Sequence, residues 1–245
     1  MHIDKELEMQ IKDAVVLVTG ANRGMGQAWV RCAIEAGARR VYACARDAGT
    51  IEAGERIVRL ELDITRPAQV EHAALQCTDV TLVINNAGIA RSGDLLSLDA
   101  GDLARQEMET NYLGTLALCR AMAPVLKSNG GGAIINVLSV LSWVTIPGAE
   151  TYSASKAAAW SMTNGLREAL RTQQTQVLGL HVGFMDTDMT RGVDGPKAAP
   201  AQVVRLALAA LEAGHEECLA DELSQQVKIG LSEEPGVYLG APVEG

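Results

Sequence analysis

Tyr152 and Lys156 stand four positions apart, and Ser139 lies thirteen positions before the Tyr. A phenol, an ammonium and a hydroxyl in one stretch can pass a proton to or from a substrate oxygen. A free Tyr hydroxyl titrates at about 10 and is a poor base at neutral pH. An ammonium beside it favours the phenolate and is expected to lower that value. Positions i and i+4 of a helix share a face, so the two side chains can act together. The same spacing is common on helix surfaces without chemical meaning, so the rest of the chain must decide.

The surrounding pattern predicts elements that would hold these residues at one edge. Ala14–Thr19 is a continuous apolar, β-branched run and reads as a buried strand. Further strands are expected at Val41–Ala45, Ile57–Leu62, Val80–Ile84, Ala133–Leu138 and Gln176–Val182. Helices are expected at Gly24–Ala36, Pro67–Gln76, Ala100–Glu109, Asn111–Leu126, Tyr152–Arg171 and Pro200–Ala213. Strand and helix alternate throughout. That predicts an α/β fold: one Rossmann-type, doubly wound parallel sheet of about seven strands, with helices on both faces. The whole chain, 1–245, reads as one dinucleotide-binding and catalytic domain, with residues 221–245 a polar C-terminal extension of uncertain form.

The first predicted strand runs into Thr19-Gly20-Ala21-Asn22-Arg23-Gly24-Met25-Gly26. Gly20 allows a tight turn, while Gly24 and Gly26 let backbone approach a pyrophosphate. The helix that follows offers unpaired N–H groups and a positive dipole end to an anion. A dinucleotide site on this first strand-to-helix turn is therefore expected, built from Gly20, Asn22, Arg23, Gly24, Met25 and Gly26. An acidic residue at the tip of the second strand would bind the ribose hydroxyls of NAD. Here the tip reads Cys44-Ala45-Arg46. Arg46 can face a 2′-phosphate, and Arg23 can clamp the same group. Each Arg alone reads equally as a solvated charge; together they favour NADP(H) over NAD(H).

Composition narrows the partners. A net charge of −9 argues against a nucleic-acid surface. Aromatics are only 3% of the chain, so the core must be built from Ala, Val, Leu and Ile. The five cysteines are scattered without C-x-x-C or zinc-ligand spacing, which predicts no metal and reduced thiols. With no apolar run of membrane-spanning length and no signal-like start, a cytoplasmic protein is expected.

Taken together, these motifs resemble the short-chain dehydrogenase/reductase family over about Asp13 to Met189. The family's T-G-x-x-x-G-x-G is Thr19–Gly26, its N-N-A-G is Asn85–Gly88, and its Y-x-x-x-K is Tyr152–Lys156. Its active-site Asn and Ser match Asn111 and Ser139. The resemblance implies hydride transfer between NADP(H) and a carbonyl or secondary alcohol. Tyr152 would be the acid/base, Ser139 would donate to the substrate oxygen, and Lys156 would lower the Tyr pKa and bind the nicotinamide ribose. Asn111 would hold a water that relays protons to Lys156. It also implies adenine contacts from Asp63 and Ile64, a groove lined by Asn86, Ala87 and Gly88, and a nicotinamide held near Gly183 and Thr187.

Three departures accompany the likeness. Val182-Gly183 stands where the family usually has Pro-Gly, so the backbone beside the nicotinamide loses a restraint. Only Thr190 to Ala199 separates this motif from the next helix, which predicts an open pocket. The usual C-terminal Asp-Gly is replaced by Ala220-Asp221-Glu222, removing support for the common tetramer contact. A homodimer or homotetramer is still expected, the dimer forming through the two long helices. Leu141, Trp143, Ala149 and Glu150, with Ser139 and Tyr152, are expected to border the substrate, and Met185 and Met189 to cover it. His181, in a strand, reads as structural. Two other functions stay open: a dinucleotide sensor without chemistry, and a 3-oxoacyl thioester reductase.

Overall fold

The computed structural model describes residues 9–91, 93–191 and 197–240. Seven parallel strands form one sheet in the order β3-β2-β1-β4-β5-β6-β7. They are β1 Val15–Thr19, β2 Arg40–Ala45, β3 Ile57–Glu61, β4 Leu82–Asn85, β5 Gly132–Val137, β6 Thr175–His181 and β7 Glu217–Leu219. The central strands are buried on both faces, which is why β1 and β4 read as nearly continuous apolar runs and β6 as an apolar run from Val177 to Leu180. Helices α1 Gly24–Glu35, α2 Pro67–Gln76, α3 Ala100–Glu107, α4 Thr115–Ser128, α5 Glu150–Leu170, α6 Pro200–Glu212 and α7 Glu222–Gly230 complete the fold. Pro67 and Pro200 open α2 and α6 from the first turn, where a missing N–H costs nothing.

Two apolar clusters lie on opposite faces of the sheet. One joins α1 and α6 to Val16, Val18, Ile84 and Leu180. The other joins α2 and α4 to Val15, Leu17, Val83 and Ile134. Strand order reverses between β1 and β4. The crevice at their carboxyl ends is where open α/β sheets bind ligands.

Two segments differ from the sequence pattern. The helices expected on either side of Thr110 are joined by a π-helical turn, Met108–Gly114, which links α3 to α4. Gly114 permits this path, because a Cβ there would lie 2.9 Å from Ile64 Cγ1 and 3.0 Å from its carbonyl oxygen. The polar tail also contains α7. Asp221 and Ser224 begin it with a reciprocal capping box, a start signal passed over in the sequence. Among the described residues, no helix is long and apolar enough to cross a membrane. The five cysteines are free and buried.

Candidate active site

The glycine turn is built by close approach. Gly20 and Gly24 have φ of 62° and 51°, which favour glycine. A Cβ on Gly26 would lie 1.8 Å from the Gly20 carbonyl oxygen, so no other residue can occupy that position. Arg23 caps α1 in extended backbone with no side-chain cap, leaving the first-turn N–H groups facing the crevice. Across from them stands Thr187, whose Cγ2 would lie 3.3 Å from a Cβ on Gly24. Cradle, bare helix end and crevice fit a dinucleotide pyrophosphate.

β4 is stapled to this turn. Thr19 Oγ1 accepts the Asn86 and Ala87 N–H groups, each at 3.0 Å. The Asn86 side-chain amide donates to the carbonyls of Thr19 and Gly20 at 2.9 and 3.2 Å. Asn86 therefore shapes the groove while spending its own donors on protein. Just after β3, burial works to raise the Asp63 pKa. Hydrogen bonds from the Thr65 hydroxyl and amide, with Arg46 and Arg66 nearby, leave it below the usual value. Ile64, the next residue, is buried. Arg46 is exposed at the tip of β2. Arg23 pairs with Asp188 only loosely, at 3.5 Å, with 71% of its side chain exposed.

A buried amide ladder holds α5 over the strand ends. Asn85 Nδ2 donates to Asn136 Oδ1 at 2.7 Å, and Asn136 Nδ2 donates to Thr163 Oγ1 at 2.9 Å. This joins β4, β5 and α5. Lys156, buried on α5, donates to the Val137 carbonyl at 2.8 Å. Its Nζ lies 5.7 Å from the centre of the Tyr152 ring. Gly88 sits beside it, since a Cβ there would lie 3.7 Å from Lys156 Nζ and 3.1 Å from Asn111 Oδ1.

Asn111, in the π-helical turn, clamps the segment after β4. Its Oδ1 accepts the Ile89 N–H at 2.8 Å, and its Nδ2 donates to the Ile89 carbonyl at 2.8 Å and to Ser155 Oγ at 2.9 Å. Both side-chain N–H bonds go to protein. Ser139 opens a short 3₁₀ turn, Val140–Ser142, where its Oγ accepts the Leu141 N–H at 3.1 Å. The Ser139 hydroxyl also hydrogen-bonds Tyr152, a contact that favours the phenolate.

The electrostatics depart from the expected lowering of Tyr152. Burial pushes its pKa up to about 12; a hydrogen bond with Ser139 works downward and the Glu107 charge upward. Burial also brings Lys156 down to about 8. Desolvation, which disfavours the phenolate, outweighs the Ser139 hydrogen bond, and Tyr152 is held protonated at neutral pH.

The substrate-side residues divide. Leu141, Trp143, Ala149 and Tyr152 belong to one small apolar cluster with Val140 and Val227. The Trp143 ring is engaged by protein. It stacks on His181 at 3.8 Å between centres, meets Trp160 edge-on at 6.1 Å, and lies 4.8 Å from Lys228 Nζ. Glu150 starts α5, and its Oε2 is buried without a partner among the described residues. Met185 bridges Ala198, while Met189 is 54% exposed. Half of the Thr190–Ala199 segment, residues 192–196, lies outside the described residues.

Sequence reasoning missed three groups. Glu107 is fully buried, its Oε1 accepting the Arg91 N–H at 2.7 Å, one helical turn before Asn111. Asp221 Oδ2 accepts the Gly183 N–H at 2.6 Å. Asn136 and Thr163 carry the amide ladder. Only the polarity of Asn136 inside an apolar strand could have signalled its role.

Comparison with known proteins bears on the family and the fold. The family model described as short chain dehydrogenase matches residues 14–197. Dehydrogenase/reductase SDR family member 7B of Bos taurus is 30% identical over 233 residues, 82% of this chain and 71% of that protein. The Rattus norvegicus counterpart is 30% identical over 198 residues, and the match covers 74% of this chain but only 60% of that protein. A 3-oxoacyl-(acyl-carrier-protein) reductase of Vibrio cholerae is 29% identical over 194 residues, 76% of this chain and 79% of that one. Among solved structures, a short chain dehydrogenase from Burkholderia cenocepacia J2315, in complex with NADP, superposes with a TM-score of 0.91. It is 44% identical and covers 96% of this chain and 100% of that chain. A Burkholderia phymatum member in complex with NAD has a TM-score of 0.83 at 22% identity and shares the fold alone.

Proposed function

The chain belongs to the short-chain dehydrogenase/reductase family of nicotinamide-dependent oxidoreductases, and from that premise we propose that it is an NADP(H)-dependent carbonyl reductase acting reversibly on a secondary alcohol. The observation that carries this reading is the convergence of Ser139, Tyr152 and Lys156 beside Gly88, at the mouth of the strand-order crevice. The nicotinamide, when bound, supplies or accepts the hydride. Gly20 to Gly26 would hold its pyrophosphate, Arg23 and Arg46 its 2′-phosphate, and Lys156 and Thr187 the nicotinamide half. The 44% identical protein crystallised with NADP supports the cofactor preference.

The residues divide the proton work. Tyr152, with its pKa near 12, donates to the developing alkoxide. The Ser139 O–H, hydrogen-bonded to Tyr152 in this structure, donates to the same oxygen once substrate is bound and steadies its charge. Lys156, brought to about 8, returns a proton to Tyr152 near neutral pH. Glu107 opposes the phenolate and helps keep Tyr152 protonated. Leu141, Ala149 and Tyr152 offer the substrate an apolar wall, so an apolar ketone or aldehyde is the expected class. The half-buried face shared by Tyr112, Leu116, Met162 and Leu166 is the proposed dimer surface.

Loss of NADPH absorbance with a panel of ketones and aldehydes tests the reading. Turnover of simple carbonyls supports it. Turnover confined to acetoacetyl thioesters would favour the acyl-thioester reductase. Tight NADPH binding with no turnover would favour a sensor.

A further inference from the structure

His181 lies at the end of β6, fully buried, with no place in the proton path. Its Nδ1 is 3.3 Å from the Ser139 carbonyl oxygen. Its Nε2 has no hydrogen-bond partner, and the Glu217 carboxylate stands 3.8 Å away. Two lone pairs facing each other would repel, so Nδ1 carries the proton and donates to Ser139. The other bonds at Ser139 itself come from its own turn: Ser142 N–H to its carbonyl at 3.0 Å, its N–H to Ser142 Oγ at 3.3 Å, and Leu141 N–H to its Oγ; on either side of it the Leu138 and Val140 N–H groups donate to the Leu180 and Val182 carbonyls at 2.8 and 3.0 Å. Among the described bonds, His181 is the side chain that ties the Ser139 backbone to β6.

The imidazole is itself held. Trp143, from the end of the Ser139 turn, stacks on it with planes 16° apart. Lys228, from α7, lies over Trp143 and pairs with Glu217 of β7 at 2.9 Å. The charged groups around the ring are therefore Glu217, Lys228 and Arg167 of α5. Burial dominates them and pushes His181 down to about 4, so the ring is neutral through the physiological range.

We propose that His181 is a positioning residue: its Nδ1–H anchors the Ser139 carbonyl, and the stack of Trp143, Lys228 and Glu217 fixes the ring, so the Ser139 hydroxyl keeps its aim beside Tyr152. The proposal rests on Ser139 serving the reacting oxygen. It makes α7 and β7 part of the active-site support, since two of the four groups behind Ser139 come from them.

Two variants separate anchoring from bulk packing. His181→Leu fills similar space without a donor; His181→Asn keeps an N–H on the same branch of the side chain. Hydrogen exchange on the whole protein reads the Ser139–Trp143 turn without substrate. His181→Leu is expected to speed exchange there by about tenfold, with the Gly20–Gly26 turn unchanged and His181→Asn near wild type. With the panel carbonyl that wild type turns over best, His181→Leu should lower kcat about tenfold, leave KM and NADPH affinity within about twofold, and be largely rescued by Asn. Wild-type exchange and kcat in His181→Leu would overturn the proposal. Equal losses in both variants, including a general loss of exchange protection, would also overturn it by marking plain packing. If no panel carbonyl is turned over by wild type, the reductase reading fails, while the exchange comparison still decides the anchoring.

Discussion

Asp221 ties Gly183 to the start of α7: Oδ2 accepts the Gly183 N–H at 2.6 Å, while Oδ1 accepts the Ser224 N–H at 2.7 Å. Val182 stands where the family usually has Pro, and a free φ there would loosen the segment leading to Thr187. The carboxylate restrains the next residue instead. Gly183 also has little room to move toward α7, since a Cβ there would meet Leu223 at 3.0 Å.

Asp221→Ala should therefore cost both stability and cofactor binding. It removes a helix cap and leaves a partly buried N–H unpaired, together about 2–3 kcal/mol. A fall in melting temperature of about 5–10 °C is expected for a chain of this length. Asp221→Asn keeps one acceptor and should lose roughly half as much. Thermal melts and NADPH titration check this; an unchanged melting temperature in the Ala variant refutes it.

Tyr152→Phe deletes the proposed acid while keeping the ring in its apolar cluster. Turnover should fall by about 10²–10⁴. NADPH affinity should stay within a few fold, because the glycine turn and Lys156 are untouched. Steady-state kinetics beside fluorescence titration separate the two. Substantial residual turnover would remove Tyr152 from the mechanism.

Much of this was legible in the chain. Parallel strands buried on both faces leave continuous apolar runs, so six of the seven strands and their parallel arrangement could be placed from sequence, though not their order in the sheet. The glycine turn was equally clear, because Gly26 has no steric substitute. What could not be read came from tertiary burial. The lowering of Tyr152 was expected from Lys156 alone, but desolvation reverses it. Trp143 was expected at the substrate, yet its ring is taken by His181, Trp160 and Lys228. The π-helical turn that aims Asn111 depends on Gly114 meeting Ile64, a contact between residues fifty positions apart. Asp221 was noticed only as a departure, since its partner Gly183 is distant in sequence.

Arg46→Asp tests the cofactor preference. A carboxylate at the tip of β2 would repel a 2′-phosphate and accept ribose hydroxyls. The ratio of kcat/KM for NADPH over NADH should fall by about 10–100-fold, which corresponds to about 1.4–2.8 kcal/mol. Asp63 already lies near Arg46, so part of the change will come from two carboxylates sharing the site. A ratio that does not move would end the argument from Arg46.

Lys156 carries a stability cost that the chemistry requires. Burial lowers its pKa from 10.5 to about 8. Between these values the unfolded chain holds a proton that the folded protein has shed. Stability therefore rises with pH across this window and is fullest above 10.5; below about 8 both states are charged and the penalty is constant, about 3 kcal/mol at most. Lys156→Met removes the charge but also the hydrogen bond to Val137, worth about 1 kcal/mol. The variant should be inactive, yet more stable than wild type at pH 7 by about 2 kcal/mol, with the advantage shrinking as pH approaches 10.5. Denaturant titrations at pH 7 and pH 10 measure both. A Met variant less stable than wild type at pH 7 would mean that the Val137 bond outweighs desolvation, and that this Lys is held in place as much for the fold as for the proton.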